Sequence, residues 1–220
     1  MGCGDGFITR SIAARVPAGV VVGIDASPRM IEVARSRPNP PGIDIDFQVC
    51  DVLALPFRRE FDVVVSFNVL HWLVDQRAAL SGIARAAASD GRVIVQQVCA
   101  GPRPSLERLA MQVSGRPRWR TEFGRFAQPY LHVEPADYPA IAASAGLRVT
   151  STDVTDVEWN FGSREDFERW CTVGFADWTA RLSPGEAANW VHEVVGEYQS
   201  MVGHAGLFRF MQLRAEMTPN

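Results

Sequence analysis

Lysine is absent from this chain: all 22 basic residues among its 220 are arginine. They are interspersed with 25 acidic residues for a net charge of −3, so no basic face for nucleic acid is expected. The uniform choice of arginine reads as the coding bias of a GC-rich genome and assigns no site. Cysteine is scarce. Cys3, Cys50, Cys99 and Cys171 stand far apart with no CxxC pair, which excludes a zinc site or a disulfide framework and reads as reduced, buried thiols. No metal is expected. No stretch approaches the roughly 18 continuous apolar residues of a membrane span, and the amino end is glycine-rich where a leader would be basic and then apolar. A cytoplasmic protein without a membrane partner is the expectation, and composition leaves the oligomeric state open. Internal repeats and low-complexity tracts are also missing. What remains is 47% hydrophobic, enough to bury a core over one domain spanning residues 1–220.

The pattern along the chain then supplies the architecture. A glycine turn, Gly2 to Gly6, feeds a helix whose Ile8, Ile12 and Val16 recur at helical spacing. Val20 to Asp25 is a short buried strand. Ser27 and Pro28 open a second helix, the hydroxyl capping free amides and the proline occupying a position that needs no donor. Ile45 to Val49 is a third element ending near Asp51, and FDVVVSF (61–67) is apolar enough to be buried on both faces. A helix over about Asp75 to Ala88 follows, and Asp90-Gly91 turns the chain into the strand Arg92 to Val98. Strands alternating with helices argue for βαβ units, and so for an α/β, Rossmann-like, doubly wound and mostly parallel sheet. Beyond Ala100 the periodicity weakens as far as His132. Pro135 to Ala145 reads as a helix closed by Gly146, and Leu147 to Phe161 as a strand. Two amphipathic helices open with capping-box patterns, Ser163 with Asp166 and Ser183 with Glu186. Their expected apolar stripes are Phe167, Trp170, Gly174, Trp178 and Trp190, Val194, Tyr198, Met201. Leu207 to Met217 closes the sheet, and segments of about 101–133 and 162–204 are expected to form a helical cap.

A glycine turn between strand and helix lets a ligand approach the backbone, and an acid about twenty residues on, here Asp25, suits the hydroxyls of a ribose. Alone, that pattern fits nucleotides in general. Four segments taken together narrow it: MGCGDG, GIDASPRMIEVAR, FQVCDVLALPF and FDVVVSFNVLHW, whose order and spacing resemble those of the class I S-adenosylmethionine-dependent methyltransferases. The resemblance implies S-adenosylmethionine as cofactor. It would place Gly2, Cys3 and Gly4 against the methionine part, Asp25 on the ribose with Ala26 beside it, and Met30 over the adenine. Asp51 would bond the adenine amino group, Val52 would add a backbone contact, and Asn68 would complete the set. The string SFNVLHWLVDQRAAL and the later PYLHVEPADYPAIAASAGLRV with FGSREDFERW look most like the branch holding trans-aconitate and juvenile-hormone-acid methyltransferases, which esterify carboxylates.

Methyl transfer from a sulfonium is an in-line displacement, so the protein must hold nucleophile and methyl together and exclude water. A carboxylate is already ionised at neutral pH, whereas a phenol or carbon acid needs a base within reach. His71 is the candidate base or orienting group, its other reading being a buried histidine satisfied by backbone. Trp72, Trp119 and Tyr130 are candidate substrate residues, their other reading being packing, and Arg116, Arg118 and Arg120 stand where a lid could clamp a carboxylate, their other reading being solvated loop charge. By the resemblance, the family's first strand would precede Met1, so an open seam is expected in the sheet, and Met1 is expected to be an internal methionine of a longer chain or a misplaced start. The leading expectation is carboxyl or hydroxyl O-methylation of a small molecule, with ring C- or O-methylation second. A catalytically silent S-adenosylmethionine-binding module is the rival, and an NAD-dependent dehydrogenase a weaker one that the glycine spacing and Asp51 disfavour.

Overall fold

A glycine in the left-handed conformation, Gly6 at φ 77°, ends the opening turn and launches α1 (Phe7–Ala13). The computed structural model describes residues Met1–Asn220 and continues through β1 (Val21–Asp25), α2 (Pro28–Ser36), β2 (Ile45–Val49), β3 (Phe61–Phe67), α3 (Gln76–Ala86) and β4 (Ala87–Val98). Next come α4 (Leu106–Ser114), α5 (Arg120–Phe123), α6 (Tyr138–Ser144) and β5 (Leu147–Asn160). The helices α7 (Arg164–Gly174), α8 (Ala176–Thr179) and α9 (Pro184–Val202) precede the final strand β6 (Leu207–Pro219). No helix is long and apolar enough to cross a membrane. The chain divides into two compact units, one of residues 1–97, 136–153 and 214–220, the other of 98–135 and 154–213.

In the first unit the helix starts follow the sequence chemistry. Ser27 Oγ accepts the Met30 N–H with Pro28 in the first turn of α2, and the Asp75 carboxylate accepts the Ala78 N–H at 2.9 Å to open α3. Strands β1 and β2 pair in parallel from Val21 opposite Ile45 to Asp25 opposite Val49, and β3 pairs in parallel with β4. The sheet is in two pieces, β1-β2 and β3-β4-β6-β5. Three residues bridge them: the Met1 ammonium donates to the Val65 carbonyl at 2.7 Å and the Cys3 N–H to the Ile24 carbonyl at 2.8 Å. Along the rest of their length β1 and β3 are edge strands, and on β3 Val63 is 54% exposed.

That placement corrects one expectation. FDVVVSF buries Val64 and Ser66 but not Val63, because an edge strand is covered less fully than a central one. The turn expected at Asp90-Gly91 lies inside β4, where the register jumps from Phe61 opposite Ala87 to Val63 opposite Arg92 and residues 88–91 bulge out.

In the second unit, the stretch that showed weak periodicity contains a regular helix. Ser105 caps α4 by accepting the Arg108 N–H at 3.1 Å, and Leu106, Leu109, Ala110 and Val113 are buried at helical spacing. Helix α9, opened by a complete Ser183–Glu186 capping box, packs against both α4 and α7. Trp178 and Trp190 are fully buried with ring centroids 6.1 Å apart, and burying each contributes roughly 2–3 kcal/mol. The stripes differ at their edges from expectation. On α7 the buried face is Phe167 and Cys171, leaving Trp170 and Gly174 outside, and on α9 Ala187, Val191 and Val195 join Trp190, Val194 and Tyr198 while Met201 faces outward.

Candidate functional site

Two adjacent parallel strands end in an acid at the same edge of the sheet. Asp25 closes β1, the Cys50 N–H donates to the Asp25 carbonyl at 3.0 Å, and Asp51 follows at once beyond β2. Open α/β sheets keep their ligands at this carboxyl edge. Asp25 Oδ2 accepts the Gly4 N–H at 2.9 Å and Oδ1 accepts the Ser27 N–H at 2.9 Å, so one carboxylate ties the glycine turn to the start of α2. Asp51 Oδ1 accepts the Leu53 N–H at 2.9 Å and starts a 3-10 turn, Val52–Ala54.

These residues surround a cavity of ≈ 340 Å³ in the first unit, inside the size range of small-ligand sites. Of the residues expected at the cofactor, Gly2, Asp25, Ala26, Asp51, Val52 and Asn68 line it, and so does Trp72. Ile24, Cys50, Val69 and Leu73 line it as well and were not anticipated, although each adjoins an anticipated residue within two positions. Cys3 and Gly4 belong to the adjoining turn, and Met30 is half-buried in the first turn of α2 outside the lining. Another hollow, of ≈ 280 Å³, lies at the amino ends of β1 and β2 around residues 17–21 and 42–46, the edge at which such sheets do not hold ligands.

The cavity suits an adenosine bearing a polar tail. An ionised carboxylate offers about four lone-pair sites, so with one N–H on each oxygen Asp25 retains acceptor capacity for a ribose diol. Ile24, Val52, Val69, Trp72 and Leu73 provide apolar wall for a purine. Gly2 and Gly4 hold φ of 60° and 52°, which glycine adopts without penalty. A Cβ built on Gly2 would stand 2.0 Å from Val69 Cγ2, whereas one on Gly4 would meet nothing within 4 Å, leaving the room a ligand needs beside that peptide. Asn68 adopts φ 56° as the chain leaves β3, a conformation that asparagine tolerates better than most side chains and that recurs at functional sites. The two thiols here are only half-buried, correcting the expectation of buried cysteines, because Cys3 sits in the opening turn and Cys50 just past the end of β2. Burial, reinforced by Asp25 at Cys3 and by Asp51 at Cys50, pushes both thiol pKa values up and keeps them protonated.

The other expected residues lie elsewhere. His71 is buried in a 3-10 turn, Leu70–Trp72, with its ring centroid 4.9 Å from that of Trp72. Trp119 and Tyr130 are interior residues of the second unit: Trp119 Nε1 donates to Glu193 Oε2 at 2.9 Å, and Tyr130 stacks on Trp178 at 6.4 Å. Arg116 is engaged by Glu193 and Glu197 of α9, and the Arg118 guanidinium lies 4.7 Å over the Trp119 ring. The sequence offered these arginines as a clamp for substrate, and in the structure Arg116 braces α9.

Known proteins share both the sequence pattern and this architecture. Residues 1–95 match the methyltransferase domain family. The trans-aconitate 2-methyltransferase of Rhodococcus jostii is 32% identical over 174 residues, covering 78% of this chain and 65% of that protein, so the chain spans just under two thirds of this relative. Among solved structures, the YcgJ protein of Bacillus subtilis superposes with a TM-score of 0.67 at 17% identity over all of this chain and 89% of that one. The Haemonchus contortus phosphoethanolamine N-methyltransferase 2, solved with S-adenosylhomocysteine, gives a TM-score of 0.59 at 18% identity over 100% of this chain and 48% of that one.

Proposed function

Because the chain belongs to the class I S-adenosylmethionine-dependent methyltransferases, on the branch of the trans-aconitate enzymes, we propose that it transfers a methyl group to an oxygen of a small organic acceptor, a carboxylate before a hydroxyl. One observation carries this reading: Asp25 and Asp51 close neighbouring strand ends on a single cavity that Gly2 also lines.

When bound, S-adenosylmethionine supplies an electrophilic methyl on a sulfonium. The protein's share is to bind and orient. In this reading Asp25 accepts from the ribose hydroxyls, Asp51 accepts from the adenine amino group, and the turn from Gly2 to Gly4 holds the methionine part. Trp72 and Leu73 restrict water on the remaining side. A carboxylate acceptor removes the need for a deprotonating group, which agrees with a His71 that is buried and outside the cavity lining. The trans-aconitate relative favours an acid for the same role.

The test is transfer of tritiated methyl from S-adenosylmethionine to a panel of di- and tricarboxylic acids and phenols. The expected product is a base-labile methyl ester of an acid. Tight S-adenosylhomocysteine binding by calorimetry with no labelled product would overturn catalysis in favour of a binding module, and NADH binding in its place would point to a dehydrogenase. The glycine turn gives a second check. Gly2→Ala drives a methyl group into Val69 and strains a positive φ, and it is expected to weaken S-adenosylhomocysteine binding about tenfold or more. Gly4→Ala meets no protein atom, so its loss comes from the strained positive φ and from a methyl group in the space left for the ligand, and it is expected to be about tenfold or more.

A further inference from the structure

Arg10 lies in α1, outside the cavity, and its guanidinium gathers backbone from two segments of the first unit, the opening turn and residues 34–38. Nε donates to the Pro38 carbonyl at 2.9 Å, Nη2 to the carbonyls of Arg37 at 2.8 Å and of Ala34, and Nη1 to the Asp5 carbonyl at 3.3 Å. Its Cζ stands 5.0 Å from the Phe47 ring centroid on β2. The acid beside it is directed elsewhere: the Asp5 carboxylate pairs with Arg37 at 2.9 Å and accepts the Phe7 N–H at 3.1 Å. The Arg10 charge is therefore met by carbonyl dipoles, among them that of Ala34 in the negative last turn of α2.

Asp5 sits between Gly4 and Gly6, at φ 52° and 77°, so the peptide that Arg10 holds belongs to the turn with the least conformational preference in the chain's opening segment. Besides the Asp5 carboxylate's bonds to Arg37 and to the Phe7 N–H, three contacts hold the backbone of that turn. Gly4 N–H goes to Asp25, Gly6 N–H goes to the Cys3 carbonyl at 2.9 Å, and Arg10 takes the Asp5 carbonyl from the outer side. A Cβ on Gly6 would approach Arg10 Nη1 to 2.4 Å and Phe47 Cζ to 2.8 Å, so guanidinium and ring press on the turn from behind.

We propose that Arg10 is a positioning residue for cofactor binding, locking the Gly4–Gly6 turn in its ligand-accepting shape and joining it to the end of α2. This rests on the reading that the cavity takes S-adenosylmethionine. Arg10 supports the turn on the methionine side and leaves the adenosine side to Asp25 and Asp51, so the two halves of the ligand report on it differently. Lysine keeps the charge and the stem over Phe47 but cannot fork to several carbonyls.

The experiment is calorimetry of Arg10→Lys and Arg10→Ala with S-adenosylhomocysteine and, separately, with adenosine, alongside urea unfolding of each variant. Arg10→Lys is expected to bind S-adenosylhomocysteine about tenfold more weakly while its adenosine affinity stays within about threefold. In turnover, KM for S-adenosylmethionine should rise with kcat little changed, and guanidinium ion at millimolar concentration should restore part of the affinity of Arg10→Ala. Equal losses for both ligands, or a lowered unfolding midpoint with unchanged S-adenosylhomocysteine affinity in Arg10→Lys, would reduce Arg10 to a structural clamp and overturn the proposal. A wild-type chain that binds neither ligand would overturn the cofactor reading itself, and this inference with it.

Discussion

Asp25→Ala is expected to weaken S-adenosylhomocysteine binding by two orders of magnitude or more, the largest single loss in the site. The carboxylate has two duties. It accepts N–H groups from Gly4 and Ser27, and its remaining acceptor capacity is what the ribose diol would use. Hydrogen bonds to a charged group are worth about 1.5–3 kcal/mol each, so losing two to the ligand alone corresponds to a factor of at least about 100. Unpairing the Gly4 and Ser27 amides loosens the turn as well and can only add to the loss. Asp25→Asn should fall between wild type and alanine, because its amide oxygen still accepts while its NH₂ can only donate. Asp46, exposed on β2 and bonded to the Gln48 side chain at 2.6 Å, is the control: Asp46→Ala should leave the affinity unchanged. Titration calorimetry reads all three variants. A loss of less than threefold in Asp25→Ala would separate the carboxylate from the ligand and leave the cavity without its anchor.

That several of the residues singled out in the sequence line one cavity has a physical reason. Strand ends and glycine turns are local: Asp25 ends the apolar run of β1, Asp51 stands two residues beyond the alternating β2, and parallel pairing in register brings the two ends together. Burial is not local in the same way. FDVVVSF has the composition of a doubly covered strand, and only the arrangement of its neighbours makes β3 an edge with Val63 half-exposed. Helix α4 was hidden because Pro102, Arg103 and Pro104 precede it and blur the window, though Ser105 and the spacing of Leu106, Leu109, Ala110 and Val113 carried the signal. On α7 the buried face follows Phe167 and Cys171, and Trp170 lies at its margin, part-exposed with its ring against Phe161 and Phe208. Arg10 shows the limit most clearly. As one arginine in a short helix it has the appearance of solvated charge, and three of its four carbonyl partners lie 24 to 28 residues away in a segment with no pattern pointing back.

Acid should destabilise the fold through His132 of the second unit. This imidazole is buried beside the Tyr130 ring, 4.6 Å away between centroids, and burial holds its pKa near about 4 where 6.5 is ordinary. A base whose folded pKa is depressed loses stability as pH falls. Between about 6.5 and 4 the unfolded chain takes up a proton that the folded chain refuses, at a cost of up to about 3 kcal/mol over the whole window. Glu107, buried with its Oε2 3.8 Å from His132 Nε2, works in the opposite sense, since burial raises its pKa and stability is lost as pH rises from the ordinary carboxylate value towards the folded one. The 3.8 Å separation is too long for a hydrogen bond, and burial is the leading cause of the shift in both groups. The neighbouring phenols and thiol stay silent in this window: burial pushes the Tyr130 and Tyr198 phenols up to about 12 and raises the Cys171 thiol. Urea unfolding followed by tryptophan fluorescence, which reports on the buried Trp178 and Trp190, should show wild type losing stability below pH 6.5 relative to His132→Gln, with the two curves parallel above it. Glu107→Gln should keep that acid limb and flatten the rise in instability towards neutral pH. Equal acid slopes in wild type and His132→Gln would mean that the proton taken up on unfolding belongs to another group, and that the imidazole is solvated well enough to titrate normally in the folded chain.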